Sequence, residues 1–416
     1  MERILEPSHI PEVVETLKLY STLSETTLDI EPGAEFRMFV CGPTVQDNVH
    51  LGHAKTYLAF DVLARWLLKT GRKVFFLLNI TDVDDKIFDR AKKENVPYEE
   101  VANRFYDAFL EDLESLNIVT ISHFARVSKF VDESAELVKI LLDRSTAYRL
   151  DGNVYFDTSK ADHFGKLSHQ TAYSLRMKQI DAAPGKKNSV DFLLWRAVPD
   201  ASEGIWQTVV GPGRPGWHIQ DSAIAFEELG GPYDLHGGAT ELIFPHHEAE
   251  LAQDEAISNL IPFVKIWMHT GLLLKGQEKM SKSLGNVVTI KEAMKKYGNA
   301  DVIRFHFLKH HYRDSFEFSS AALEASKEEF RLIESAAKAV PRSSIGGTDP
   351  HPRSEKGNEI YEQFSAAMDN DLDTPSALAI LLDVSKQMVG SADDAKRSEL
   401  GYLFWEIAET LGLRMS

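Results

Sequence analysis

Residues 36–80 read FRMFVCGPTVQDNVHLGHAKTYLAFDVLARWLLKTGRKVFFLLNI. Residues 36–45 are an apolar, β-type run stopped by Gly42 and Pro43. From His50 the apolar residues fall at helical spacing, at Leu51, Ala54, Tyr57, Leu58, Phe60, Leu63 and Leu67, with a stop at Gly71. Residues 73–80 form a second dense strand. DDKIFDRAKKENV (84–96) is a second helix, with acids at its start and bases later, as the helix dipole prefers. Strand, helix, strand and helix joined by short turns make a βαβ unit, hence a parallel sheet with helices outside it.

Residues 99–205 break this rhythm. They hold helical stretches (100–117 and 130–148), the turn LDGNVYFD (150–157) and the polar loop DAAPGKKNSVD (181–191). This reads as an insertion between two halves of one sheet. The alternation resumes with GWHIQDSAIAFEELGG (216–231), YDLHGGA (233–239), PHHEAELAQDEAISN (245–259) and FVKIWMHTGLLL (263–274). From about residue 288 the spacing is helical. The expected fold is α/β: a split Rossmann-type parallel sheet with a connective insertion, then an α-helical C-terminal bundle. The expected division is 1–98 (first half with an N-terminal extension), 99–205 (insertion), 206–287 (second half), 288–340 (helical region), 341–357 (Pro/Ser/Gly linker) and 358–416 (helical bundle).

The chain has 416 residues, 43% hydrophobic and 26% charged, which suits a globular protein of several domains. No apolar run approaches the ~20 residues that span a bilayer. The start, MERILEPSHIPEVV, carries Glu and Pro where a secretory signal needs a basic start and an apolar core, so a cytoplasmic protein is expected. Cys41 is the only cysteine, which excludes an intrachain disulfide and any zinc site built on two cysteines of one chain. The net charge of −17 disfavours broad nucleic-acid binding but allows a local basic patch.

Four places carry candidate chemistry. HLGH (50–53) follows the first strand at a helix start, where backbone N–H groups, Gly52 and the imidazoles of His50 and His53 suit an anion; two incidental turn histidines are the alternative. KMSKS (279–283) puts Lys279 and Lys282 on a glycine-flanked loop fit to close over a polyphosphate, or simply on a solvated basic loop. His246 and Glu250 are four apart, which makes half a metal site on one helix face or an acidic helix start favoured by the dipole; His247 and Glu248 are expected to point elsewhere. Cys41 ends the first strand at the sheet edge where ligands bind, or is a small buried hydrophobe. Trp217 and His218 open the second half-sheet and are placed to face the same crevice, unless Trp217 is plain core.

HLGH and KMSKS in this order, on two halves of a split sheet, resemble the class I aminoacyl-tRNA synthetases. CGPTVQDNVHLGHAKTYLAFDV, NITDVDDKI, GRPGWHI, HGGATELIFPHHEAELAQ, WMHTGLLL, EKMSKSLGN and MDNDLDTPSAL resemble the cysteinyl branch, over residues 17–385. The resemblance implies ATP-dependent activation of cysteine and its transfer to tRNA-Cys; a monomer is expected. It assigns His50, Gly52 and His53 to the phosphates, Lys279 and Lys282 to the mobile loop, and Glu241 to a ribose-contacting position that is usually Asp. Mg²⁺ is expected to travel with ATP. The amino-acid pocket falls on Cys41, Thr44, Trp217, His218 and Asp221, and residues 288–340 on a stem-contact region. The family's zinc ligands, Cys, Cys, His and Glu, fall on Cys41, Asp221, His246 and Glu250.

Besides Glu241, three features depart from the family pattern. Asp221 stands where the family has a second zinc-binding cysteine. Carboxylate oxygen is an accepted zinc ligand, but a harder one than thiolate. Gln46 replaces a common aromatic. The chain also stops at Ser416, where typical members continue into an anticodon-binding end. These departures keep two alternatives in view: a mycothiol-ligase-like paralogue that activates cysteine or another amino acid for a non-tRNA acceptor, and a non-catalytic binding protein.

Overall fold

The computed structural model describes residues 16–31, 33, 35–198, 204–276, 278–280, 284–345 and 353–415. The N-terminal stretch read above, Lys282 and the middle of the expected linker lie outside them. Five parallel strands form the central sheet: β1 (Glu35–Val40), β2 (Lys73–Ile80), β3 (His123–Arg126), β4 (Tyr233–Ala239) and β5 (Val264–Thr270). They lie in the order β5-β4-β1-β2-β3. The strand order reverses between β1 and β4, and ligands of such sheets bind in the crevice beyond the strand ends at that point. In β2 every residue but the first is buried, and the run VFFLLNI, apolar except for Asn79, is that of a strand covered on both faces.

Helix α1 (Leu51–Lys69) returns the chain from β1 to β2 and is buried along most of its length. One face packs on the sheet. The other meets the C-terminal helices, with which it shares a single apolar core running from Leu58 and Leu63 through Phe364 and Leu381 to Phe404. The junction also carries charge. Asp61 pairs with Arg304 and, at 2.8 Å, with Arg65, and it accepts from Thr120 Oγ1 at 2.8 Å. Arg304 Nε in turn donates to Leu411 O at 2.7 Å.

The insertion forms an antiparallel sheet of Ala147–Leu150, Asn153–Phe156, Leu193–Ala197, Gly211–Pro215 and Trp206–Thr208, in that spatial order. Its extent differs from the 99–205 expected from sequence. The pairing of Gly213 with Ala197 draws residues 206–215 into the insertion. At the other end, His123–Arg126 pairs with β2 and belongs to the central sheet. The segment opening with Trp217 is helix α2 (Trp217–Leu229). Helices at Ile290–Tyr297, Ala300–Leu308 and Ser320–Ala339 follow the sheet, and Glu355–Asp369, Thr374–Gly390 and Asp394–Thr410 form the last helical block.

Candidate active site

The switch point between β1 and β4 holds the site. Cys41 follows β1, and its N–H donates to Gly237 O on β4 at 2.9 Å. Gly42 comes next because nothing larger fits: a Cβ there would lie 1.7 Å from Asn79 O. At the start of α1, His50 is the N-cap and accepts from Gly52 N at 3.1 Å, while His53 Nδ1 lies 3.4 Å from His50 N. The two rings sit 4.1 Å apart. The strand-to-helix turn therefore does bring both imidazoles of HLGH to one helix N-terminus, a setting that suits anions. Thr44 bridges to Thr81 across the ends of β1 and β2.

The loop that follows β5 reaches the same end of the sheet. Leu51 N donates to Val288 O at 2.9 Å, which ties the chain just beyond KMSKS to the HLGH turn. Lys279 Nζ lies 2.6 Å from Glu241 Oε2, both half-exposed. One residue of the mobile-loop motif thus contacts the acidic position expected at the ribose.

Beneath this lies a buried polar cluster. Cys41 Sγ is 3.4 Å from Asp221 Oδ2, 3.3 Å from His236 Nε2 and 3.2 Å from His247 Nε2. His246 Nε2 is 3.1 Å from Asp221 Oδ2 and 2.8 Å from Glu250 Oε1, and His236 Nε2 is 3.0 Å from Glu250 Oε2. Two overlapping sets can hold a metal: Cys41, Asp221, His246 and Glu250, or Cys41, His236, His247 and Glu250. The donor chemistry fits zinc in both, since thiolate, imidazole and carboxylate are its usual ligands. Glu250 Oε1 is buried with His246 Nε2 at 2.8 Å, so a carboxylate oxygen is aimed into the cluster.

The electrostatics follow from burial and neighbours. Burial raises the Cys41 thiol well above its ordinary value, and Glu250 and Asp221 add to this. Burial pulls the His246 imidazole down, but Glu250 and Asp221 outweigh it and push it up to about 9. His218 is buried beside His246 and is driven down to about 3, which keeps it neutral. Burial raises both carboxyls. In Glu250, facing His246 and His236 together, the imidazoles prevail and hold it well below the usual range; Asp221 stays raised.

Trp217 stacks on His246, with ring centroids 4.1 Å apart and planes at 14°, yet it stays 46% exposed. It is an exposed ring lying directly against a buried member of the cluster. His218 Nδ1 contacts His246 Nδ1 at 2.8 Å. Glu248 points away as expected, accepting from Gly165 N and Ser168 N of the insertion. His247 does not point away. Phe244 alone has extended backbone angles (φ −135°, ψ 129°) ahead of helix α3 (Glu248–Ser258), His247 is already helical, and His246 and His247 enter different donor sets around Cys41 and Glu250. His236, Asn79 and His269 were also missed. His269 lies near the C-terminal end of β5, and that placement at the binding edge of the sheet was the available signal for it; His236 lies at the middle of β4, where no such signal exists.

A family model, "tRNA synthetases class I (C) catalytic domain", matches residues 28–328. The chain belongs to the cysteine branch of the class I tRNA synthetases. A DALR domain model matches residues 363–415, which covers most of the last helical block of this synthetase-family chain. A cysteine–tRNA ligase of Dehalococcoides mccartyi strain BAV1 is 39% identical over 96% of the chain and 87% of its own length. One of Methylibium petroleiphilum is 37% identical over 96% and 86%. Among solved structures, Mycobacterium tuberculosis methionyl-tRNA synthetase with methionyl-adenylate shares 18% identity with this family member at a TM-score of 0.60, covering 91% and 90% of the two chains. Agrobacterium radiobacter leucyl-tRNA synthetase shares 12% at 0.64, covering 92% and 83%, and supports the same fold.

Proposed function

We propose that the protein is a cysteine–tRNA ligase that activates cysteine with ATP and transfers it to tRNA-Cys. The observation that carries this reading is the convergence of Cys41, Asp221, His246 and Glu250 under Trp217, beside the HLGH turn. His50, Gly52 and His53 hold the ATP phosphates, and Glu241 contacts the ribose. Lys279 and Lys282 bring positive charge to the polyphosphate from the loop, and Mg²⁺ accompanies ATP. A carboxylate oxygen of cysteine attacks the α-phosphorus; a P–O bond forms and the bond to pyrophosphate breaks. Positioning and charge stabilisation supply most of the acceleration. The ribose hydroxyl of tRNA then attacks the aminoacyl carbonyl of the adenylate, an ester bond forms, and the bond to AMP breaks.

Cys41, Thr44, Trp217, His218 and Asp221 line the amino-acid pocket in this reading. Zinc fits the set Cys41, Asp221, His246 and Glu250, because this set lies under the half-exposed Trp217, and a metal that grips a substrate needs an open position. When bound, zinc supplies a Lewis-acid site for the cysteine thiolate. The protein acts as a monomer in the cytoplasm in this reading; among the described residues no helix is long and apolar enough to cross a membrane.

The test is ATP–pyrophosphate exchange with a panel of amino acids, with and without added Zn²⁺, followed by charging of purified tRNA. Exchange stimulated by cysteine, then charging of tRNA-Cys, is expected. Exchange with cysteine but no charging would move the acceptor to a small molecule. Exchange with a different amino acid would make Asp221 a recognition group. No exchange with any amino acid would make the protein a binding protein.

A further inference from the structure

Asn79, near the end of β2, is buried and takes no direct part in the chemistry described above. Its side-chain oxygen accepts from Gly42 N at 2.5 Å, and its amide Nδ2 donates to Asp221 Oδ1 at 2.6 Å. The orientation of the amide is forced: the backbone N–H of Gly42 needs an acceptor and the Asp221 carboxylate needs a donor, so only one flip satisfies both. The close backbone approach at Gly42 fixes the register between residue 42 and residue 79. One amide therefore joins the strand end that carries Cys41 to the helix that carries Asp221. With Oδ1 held by Asn79, it is Oδ2 that faces Cys41 Sγ and His246 Nε2, at 3.4 and 3.1 Å.

We propose that Asn79 is a positioning residue that makes Asp221 a one-oxygen metal ligand, and so lets a carboxylate serve where the family pattern has a thiolate. A thiolate offers one donor atom. A carboxylate offers two, and without a partner it can turn, bind through both oxygens, or pair with His246 instead of the metal. Holding one oxygen removes those choices, as hydrogen bonds to the outer side of a ligand generally do. The inference rests on the reading of Asp221 as a ligand under Proposed function.

The experiment measures zinc affinity by chelator competition, with Co²⁺ absorption spectra and thermal melts, on the full chain. The variants are Asn79→Ala and Asn79→Asp, each with Asp221 and with Asp221→Cys. Asn79→Ala should weaken zinc roughly 10- to 100-fold with Asp221 in place, and by a clearly smaller factor with Asp221→Cys. The Co²⁺ spectrum should change only in the Asp221 background. If Asn79→Ala fails to fold, Asn79→Asp carries the test: it keeps the size and the acceptor for Gly42 but removes the donor and opposes Asp221 with a like charge. Unchanged zinc affinity, or equal losses in both backgrounds, overturns the proposal while leaving Asp221 a ligand. If the unaltered protein takes up no zinc, the ligand reading falls, and this inference falls with it.

Discussion

Asp221 Oδ2 lies 3.1 Å from His246 Nε2, and both side chains are buried. The imidazole sits between two carboxylates, since Glu250 Oε1 is 2.8 Å away on the same nitrogen. This raises the basicity of His246, and it joins two members of one candidate donor set.

Asp221→Cys is expected to tighten zinc, because thiolate is the softer ligand and this exchange restores two sulfurs. A gain of about tenfold, or ~1.4 kcal/mol, is the scale to look for. Chelator competition on protein purified without chelator measures it, and unchanged retention would count against Asp221 as a ligand.

His246→Gln and His247→Gln distinguish the two overlapping donor sets. With the ion under Trp217, the His246 variant loses stoichiometric zinc. The His247 variant keeps most of it, because His247 then acts only on the far side of Cys41, where its Nδ1 is held by His269 at 2.8 Å. Metal analysis of the two purified variants decides. The reverse pattern would place the ion between His236 and His247.

Glu241→Ala should raise the KM for ATP while leaving the melting temperature nearly unchanged. The Lys279–Glu241 pair is half-exposed, and such pairs contribute roughly 0–1 kcal/mol to stability. A large drop in melting temperature with an unaltered KM would make Glu241 structural instead.

Asp61→Asn should destabilise the protein by roughly 3–5 kcal/mol, because it leaves Arg304 buried without its carboxylate. Burial raises the Asp61 carboxyl, but Arg65 and Arg304 overcome this and hold it at about 2, against an ordinary value of 3.8. The folded value is the depressed one, so this contribution is fully present above pH 3.8 and is lost as pH falls towards 2. Chemical denaturation of both proteins across that window checks the sign: the Asn variant should lose the corresponding part of the acid dependence.

Sequence by itself determined the layers and the machinery that is local in the chain. Periodicity gave β1, α1 and β2. The HLGH spacing put two imidazoles at a helix start, and the four-residue step from His246 to Glu250 put both on one side of the cluster. These are readable because strand and helix repeats, and contacts within one turn, depend on neighbours only a few residues away. Tertiary structure alone decided what meets across the sheet. Cys41, Asp221 and His236 come from three separate segments, and their distances to one another arise from parallel pairing of β1 with β4 and from α2 packing beside them. Adjacent residues on a regular helix do not share a face, so the contact of His247 with Cys41 could be placed only once the strand end and the helix start were seen together. The short β3 strand, inside the expected insertion, likewise joined the main sheet through pairing with β2, a long-range contact that no local pattern encodes.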